Sequence, residues 1–336
     1  MMVMRNQYRD VEHPFAPYVR ILGKGRSGSR SFTQSEAYEA MRLILAGEVE
    51  PVQLGAFLML LRVKEETSEE LAGFVQASRE WIKQQRPEPL SVDLDWSSYA
   101  GKRKHYPWFL LAVRVLSQRG IRIFMHGASG HTINRLYTES VLPLLGLPVC
   151  TNWDQVGPAL TQHQFAYMSL DNLCPTLGEI IGLRNVLGLR SPVHTLSRLL
   201  NPLDAPYVMQ AIFHPAYRVS HQQAAKLLGY QNSCVIKGEG GEIERNPDGS
   251  CLALRLVDGE PVSEEWPPLF PLRHTAEEAF DLEHFLAVWR GEANHEYGEQ
   301  AVIGTIAMSL RTLQKAANID EAMAMATDWW QSRHAL

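Results

Sequence analysis

Lys102, Arg103 and Lys104 stand in a row, and no Asp or Glu occurs from Trp96 to Thr138 although the chain is net −5. The stretch holds seven Lys/Arg, the others being Arg114, Arg119, Arg122 and Arg135. A field of one sign needs an opposite charge to face it, and phosphate is the usual one. Tyr99 and Tyr106 flank the densest part, with Trp96 and Trp108 beside them. Flat aromatic faces next to cations suit stacked bases as well as phosphates. A plainer reading is a solvated basic face whose aromatics belong to the core, and Trp96 and Trp108 are assigned there. A second group with chemical potential is Lys237-Gly-Glu-Gly-Gly-Glu-Ile-Glu244, where Glu242 and Glu244 fall on one side of an extended segment and could hold a divalent cation. Solvated carboxylates at a turn are the preferred reading, so no metal site is assigned.

These residues need elements to position them. Thr33-Gln-Ser-Glu36 and Thr67-Ser-Glu-Glu70 are capping boxes, each followed by apolar residues at helical spacing. Pro51 suits the first turn of a helix between them. The spacing predicts a small helical domain over 1–86, to which helices around 175–200 return. The polar stretch Gln84 to Pro89 marks a boundary, and 90–336 reads as an α/β domain with a cleft. Val92, Leu94 and Trp96 alternate as a strand; Pro107–Arg119 and His131–Leu145 read as helices; Ile121–His126, Phe165–Ser169 and Cys234–Lys237 read as buried strands. Strands alternating with helices predict a mainly parallel sheet covered on both faces. Helices are expected near Ala276–Trp289, Gln300–Ala316 and Ile319–Arg333.

At 336 residues the chain can bury a large core, and its 45% hydrophobic and 21% charged content is ordinary for a globular protein. No apolar run approaches the roughly 20 residues that cross a bilayer. Met1 to Asp10 contains Arg5 and Arg9 but no apolar signal core, so a cytoplasmic protein is expected. Cys150, Cys174, Cys234 and Cys251 are widely spaced and read as reduced core thiols. Charge is partitioned: residues 172–238 hold six Lys/Arg against two acids, and residues 239–336 hold seven against eighteen. The overall acidity therefore does not exclude a polyanion partner, because the local field controls binding.

Leu45-Ala-Gly-Glu-Val49, Gln53-Leu-Gly-Ala-Phe-Leu58 and Glu69-Glu-Leu-Ala-Gly73, then His126-Gly127 and the stretch Arg184 to Pro202, resemble anthranilate phosphoribosyltransferases of glycosyltransferase family 3. The resemblance implies the fold of that family and its relatives, the pyrimidine nucleoside phosphorylases, and a homodimer formed through the N-terminal helices. It also implies a chemistry, the joining of the ribosyl carbon of phosphoribosyl pyrophosphate to an amine with loss of pyrophosphate. The family's Gly-Thr-Gly-Gly-Asp loop, whose amides cradle pyrophosphate, is replaced by Ser97-Ser-Tyr-Ala-Gly-Lys-Arg-Lys104, whose bulky side chains are expected to fill the phosphate space. Of the family's magnesium-binding Asp-Glu pair, the first position is Ile243 and only Glu244 remains. Arg184 matches the arginine that faces anthranilate's carboxylate, a task suited to a guanidinium fork. Ala128 and Ser129 replace the Asn and Arg after His-Gly, and His194 replaces a later Asn. His126, Gly127, Arg184, His194 and Glu244 thus form a vestigial family site.

Those departures, with the run Arg190-Ser-Pro-Val-His194, resemble the YbiB-like branch, which implies nucleic-acid binding without marked sequence preference. On that reading Lys102, Arg103 and Lys104 contact phosphates, Arg184, Arg190, Arg198 and Lys237 extend the track, Tyr99 and Tyr106 stack on bases, and no catalytic residue or cofactor is needed. Two alternatives stay open. One is an active pentosyltransferase with magnesium and an unidentified acceptor. The other is a dimeric protein-interaction scaffold.

Overall fold

The structure is a computed structural model that describes residues 11–25, 27–86, 89–130, 132–275 and 280–334. The N-terminal stretch with Arg5, Arg9 and Asp10 lies outside the described residues. Four helices open the chain: α1 (Ala16–Gly23), α2 (Gln34–Leu45), α3 (Pro51–Lys64) and α4 (Ser68–Gln85). Both expected capping boxes form: the Thr33 side chain accepts the Glu36 N–H and the Thr67 side chain accepts the Glu70 N–H. The buried Glu70 carboxylate also accepts the Phe32 N–H (2.9 Å) and pairs with Lys64 Nζ (2.6 Å), so one capping residue ties three segments together.

The sheet begins at β1 (Leu94–Ser98), followed by α5 (Trp108–Gln118), β2 (Ile123–Gly127), α6 (Thr138–Val141), β3 (Val149–Cys150), α7 (Trp153–His163) and β4 (Phe165–Ser169). Short helices α8 (Leu170–Leu173), α9 (Pro175–Gly182), α10 (Arg184–Leu187) and α11 (Val193–Leu196) come next. α9 packs on α2 and α11 on α4, within one apolar core that includes Phe57, Phe74, Leu177 and Leu196. The chain then returns to the sheet through β5 (Tyr207–Ile212), α12 (Tyr217–Leu227), β6 (Asn232–Lys237), β7 (Cys251–Val257) and β8 (Glu260–Trp266), and closes with α13 (Leu282–Arg290), α14 (Glu296–Thr312) and α15 (Ile319–Gln331).

The eight strands run in the order β3-β4-β2-β1-β5-β6-β7-β8, parallel from β3 to β6 and antiparallel at β7 and β8. All five residues of β1 are buried, as expected for a central parallel strand covered on both faces. Strand order reverses between β1 and β5, and in sheets of this kind ligands bind beyond the carboxyl ends of the strands at such a point. One edge is the two-residue β3; the other is β8, which carries Glu260, Pro261, Glu264 and Glu265.

The expected helix over His131–Leu145 is corrected: His131 lies outside the described residues, 132–137 is irregular, and the helix starts at Thr138. Leu136 instead exchanges backbone hydrogen bonds with Lys102 (2.7 and 2.8 Å). Of the expected Ala276–Trp289 helix, 276–279 lie outside the described residues and the helix begins after the Asp281 cap. The four cysteines are buried free thiols, and no described helix is long and apolar enough to cross a membrane.

Candidate functional site

The carboxyl ends of β1, β5 and β6 meet the 238–244 loop, and two layers form there. The inner layer is closed upon itself. After β1 the chain turns sharply, with Gly101 at φ +68°. The N–H groups of Ala100 and Gly101 converge on Glu242 Oε1 (2.6 Å each), and Ser98 Oγ donates to Glu242 Oε2 (2.8 Å). The carbonyls of Ala100 and Gly101 accept from Arg135 (3.0 and 2.9 Å), so this turn is gripped from both sides. Glu242 reaches it because the 238–244 loop folds tightly: a Cβ on Gly238 would lie 1.6 Å from the Glu242 carbonyl, and Gly241 takes φ +92°.

Two residues on, Glu244 is also fully buried. Its Oε2 accepts the Phe109 N–H (2.9 Å) in the first turn of α5, where a negative charge is favoured. Its Oε1 pairs with Lys102 Nζ (2.6 Å), and Glu239 lies 3.3 Å from the same ammonium. Burial pulls the Lys102 ammonium down, but Glu244 and Glu239 outweigh it and hold the group above its ordinary value. Burial pushes the Glu244 carboxyl up, to about 7, against the pull of Lys102.

Beneath this layer, Tyr99 turns inward. Its hydroxyl lies 2.7 Å from His126 Nδ1, and His126 Nε2 lies 3.3 Å from Asp95 Oδ2. Burial holds the Tyr99 hydroxyl well above its ordinary value; with the Asp95 carboxylate accepting from His126 Nε2–H, Nδ1 is the ring atom that accepts from Tyr99.

The outer layer is a cleft of about 780 Å³. It is lined by Arg103, Lys104, Arg135, Lys237 and Arg273 against two carboxylates, Glu239 and Asp248. Those carboxylates are already paired, Glu239 with Lys102 and Asp248 with His274 (2.6 Å). Arg103, Lys104, Lys237 and Arg273 are exposed and form no ion pair among the described residues. Phe213, one residue past β5, is 47% exposed and lines both this cleft and a smaller one of about 110 Å³. Arg62, Arg190, His194 and Arg198 line the smaller one, and no described carboxylate does. The Arg190 guanidinium is pulled down by burial and by the like charges of Arg184, Arg135 and Arg198.

Residues 19–81 match the family model described as glycosyl transferase family, helical bundle domain. An uncharacterized protein of Aquifex aeolicus is 30% identical over 234 residues, 70% of this chain and 71% of the relative. The Escherichia coli protein YbiB, itself described as uncharacterized, is 27% identical over 245 residues (72% and 76%). Anthranilate phosphoribosyltransferase of Cupriavidus metallidurans is 28% identical over 232 residues (69% and 68%). The crystal structure of anthranilate phosphoribosyltransferase from Thermus thermophilus superposes with a TM-score of 0.76 over 96% of this chain and 95% of that one, at 22% identity.

Residues 19–81 are a glycosyl transferase helical bundle domain, and the chain as a whole has the anthranilate phosphoribosyltransferase-like fold. In the stretch expected to fill the phosphate space with bulky side chains, Tyr99 turns inward to His126, and the Ala100 and Gly101 N–H groups are taken by the Glu242 carboxylate. A magnesium ion does not fit the acidic segment. The Asp position is the buried Ile243, the Lys102 ammonium lies against Glu244, and among the described residues no group of three His, Cys, Asp or Glu could hold a metal. Glu242 and Glu244 do not share a side; they diverge to β1 and α5.

Four expected nucleic-acid contacts are corrected by burial. Lys102 is 1% exposed and paired inside. Tyr99 is bonded to His126, and Tyr106 packs against Trp108 and Phe285 while its hydroxyl accepts the Asp281 N–H (3.1 Å). Arg198 is buried with its guanidinium on the carbonyls of Ala211 and Gly241 (2.8 Å each). Arg103, Lys104 and Lys237 lie together on the open cleft, and Arg190 lies on the smaller cavity. Arg184 is half-buried and bonds Thr132. Arg119 and Arg122 fall near the amino ends of the strands, Arg119 over the Trp329 ring, so the basic stretch does not form one surface. Of the vestigial family residues, Gly127 is fixed by packing, since a Cβ there would lie 2.1 Å from the Ser98 carbonyl. His194 is half-buried, its Nδ1 3.2 Å from the Ser191 carbonyl. Phe213 and Arg273 escaped the sequence reading, although an aromatic directly after a buried apolar strand was a usable signal.

Proposed function

We propose that this chain binds nucleic acid without sequence preference along the cationic cleft and does not transfer a phosphoribosyl group. The observation that carries the reading is one cleft with four exposed cations, unpaired among the described residues, around an exposed aromatic ring. It lies beside a cradle and an acidic segment already engaged by Glu242 and Lys102. Arg103, Lys104, Lys237 and Arg273 would meet backbone phosphates, with Arg190 and Arg184 continuing the track. Phe213 takes the stacking role first assigned to Tyr99 and Tyr106.

A fluorescence-anisotropy titration with a short single-stranded DNA tests it. Four neutralised phosphates should give a log–log salt slope of about −3. Absence of binding at low salt, or release of pyrophosphate from phosphoribosyl pyrophosphate with an amine acceptor, would overturn it.

We further propose a homodimer through the helical domain. Val52, Ala56, Met59 and Val63 recur at helical spacing along α3, and Val52 and Val63 are 61% and 83% exposed. An apolar stripe of this kind on a surface helix calls for a partner. Sedimentation of a Val52→Glu/Val63→Glu variant should show monomer where the parent shows dimer; an unchanged dimer removes α3 from the interface.

A further inference from the structure

We propose that the cationic cleft cleaves RNA at the polymer's own 2′-hydroxyls, with His274 as general base, Asp248 as the residue that positions it and His214 as general acid. The inference rests on the cleft receiving a polynucleotide. His274 and Asp248 form an oriented pair on the cleft wall: the ring Nδ1 lies 2.6 Å from Asp248 Oδ1, and the His274 backbone N–H donates to Asp248 Oδ2 (2.8 Å). An ionised carboxylate only accepts, so Nδ1 carries the proton and Nε2 keeps its lone pair. Nε2 makes no hydrogen bond among the described residues; the Glu296 carboxylate lies 3.9 Å away on a side chain 77% exposed. A carboxylate behind an imidazole whose far nitrogen is open is the arrangement that lets histidine take a hydroxyl proton.

A buried guanidinium fixes the pair. Arg245 is 1% exposed and forms no ion pair among the described residues. Its donors go to the carbonyls of Asn246 and Gly249, in the turn that carries Asp248, and of Pro267, in the segment that leads to His274. The Leu269 N–H donates to the Pro247 carbonyl (2.8 Å) and ties the same two pieces together again. Phe270 and Tyr297 meet the His274 ring edge to face, with centroids at 4.5 and 5.5 Å. A base held this firmly has little orientation left to lose on reaction. Arg273, Lys104 and Lys237 line the same cleft and would offset the charge that builds on the phosphoryl oxygens. His214, exposed beside Phe213, brings a second imidazole from the connection between β5 and α12. In the step, His274 Nε2 takes the proton of a ribose 2′-hydroxyl and the 2′-oxygen bonds to the adjacent phosphorus. The bond from phosphorus to the 5′-oxygen breaks, and that oxygen leaves with a proton from His214. The products are a 2′,3′-cyclic phosphate and a 5′-hydroxyl, and proton exchange with solvent resets both rings.

The experiment incubates the full chain, in EDTA, with a labelled single-stranded RNA and with DNA of the same sequence. The RNA should be cut, with a 2′,3′-cyclic phosphate as first product, and the DNA should stay whole because it lacks the attacking hydroxyl. His274→Asn and His214→Asn, purified alongside the parent so that a contaminating nuclease would act equally in all, should each lose at least about 100-fold in kcat while affinity for the DNA is unchanged. Asp248→Asn offers an amide N–H to Nδ1 and shifts the ring proton to Nε2. It should lower kcat as far, with KM and the unfolding midpoint held; a fallen midpoint with kcat kept would make Asp248 structural and overturn its role. RNA bound but left intact, cleavage of the DNA, ends that are never cyclic, or the parent's rate in either histidine variant overturns the inference. Failure to bind either polymer removes the nucleic-acid reading beneath it, whereas bound and uncut RNA overturns this inference alone.

Discussion

Lys102 and its neighbours Arg103 and Lys104 are adjacent in sequence and opposite in circumstance. Lys102 is sealed against Glu244 and Glu239 by a backbone bridge to Leu136, whereas Arg103 and Lys104 face an open cleft and pair with no described residue. The difference teaches that charge type does not decide role; the partner at the far end of the side chain does. A buried cation with two carboxylates is a fastener, and removing it strands a buried negative charge. An exposed cation with none is available to an external anion, and its substitution leaves the fold nearly untouched.

The comparison can be broken at several strengths. The largest effect belongs to Lys102→Met, which should cost about 3–5 kcal/mol in urea unfolding, with substantial recovery in Lys102→Met/Glu244→Gln; a loss under about 1 kcal/mol would mean the pair is not coupled. Next, Arg103→Glu/Lys104→Glu should weaken single-stranded DNA binding at low salt by about two orders of magnitude while the unfolding midpoint stays put. Equal loss of stability would place these residues with Lys102.

A third effect is pH-dependent and tests the wall of the smaller cavity, where the buried His221 of α12 has its Nδ1 3.0 Å from Gln210 Oε1. Burial, with Arg198 nearby, pulls His221 down to about 3. Between its unfolded value near 6.5 and that figure, the unfolded chain binds a proton that the folded chain refuses. Stability from this group is complete above pH 6.5 and is lost as pH falls towards 3. The loss should reach about 2 kcal/mol by pH 5, and His221→Gln should flatten that part of the profile. The smallest effect is Phe213→Ala, with about 1 kcal/mol lost from single-strand affinity and little change in the salt slope; an unchanged affinity would leave the cleft without a stacking surface.

Much of the fold was legible because its signals are local. Two capping boxes placed α2 and α4, and apolar runs placed β2 and β4. The β7–β8 hairpin was missed although Asp258-Gly259 marks its turn, both residues at positive φ, a pattern that favours a two-residue hairpin loop. The site was less legible because its decisive pairs are distant in sequence. Lys102 meets Glu244 and Gly101 meets Glu242 across more than a hundred residues, and no spacing rule reports which cation turns inward. Tyr99 and Tyr106 illustrate the same gap: their ring chemistry suits stacking, but β1 directs one to His126 and the packing of α5 directs the other to Phe285.

The two sheet margins carry a consequence for assembly. A strand of two residues offers too short a ladder to recruit a neighbour, and a bordering strand bearing Pro261 and the exposed Glu260 and Glu265 disfavours an incoming strand that would extend it. Continuous β-pairing between copies is thereby discouraged at either flank, so self-association is steered toward side-chain packing between helices, and a polyanion drawn to the cleft meets a mouth that no sheet extension closes off.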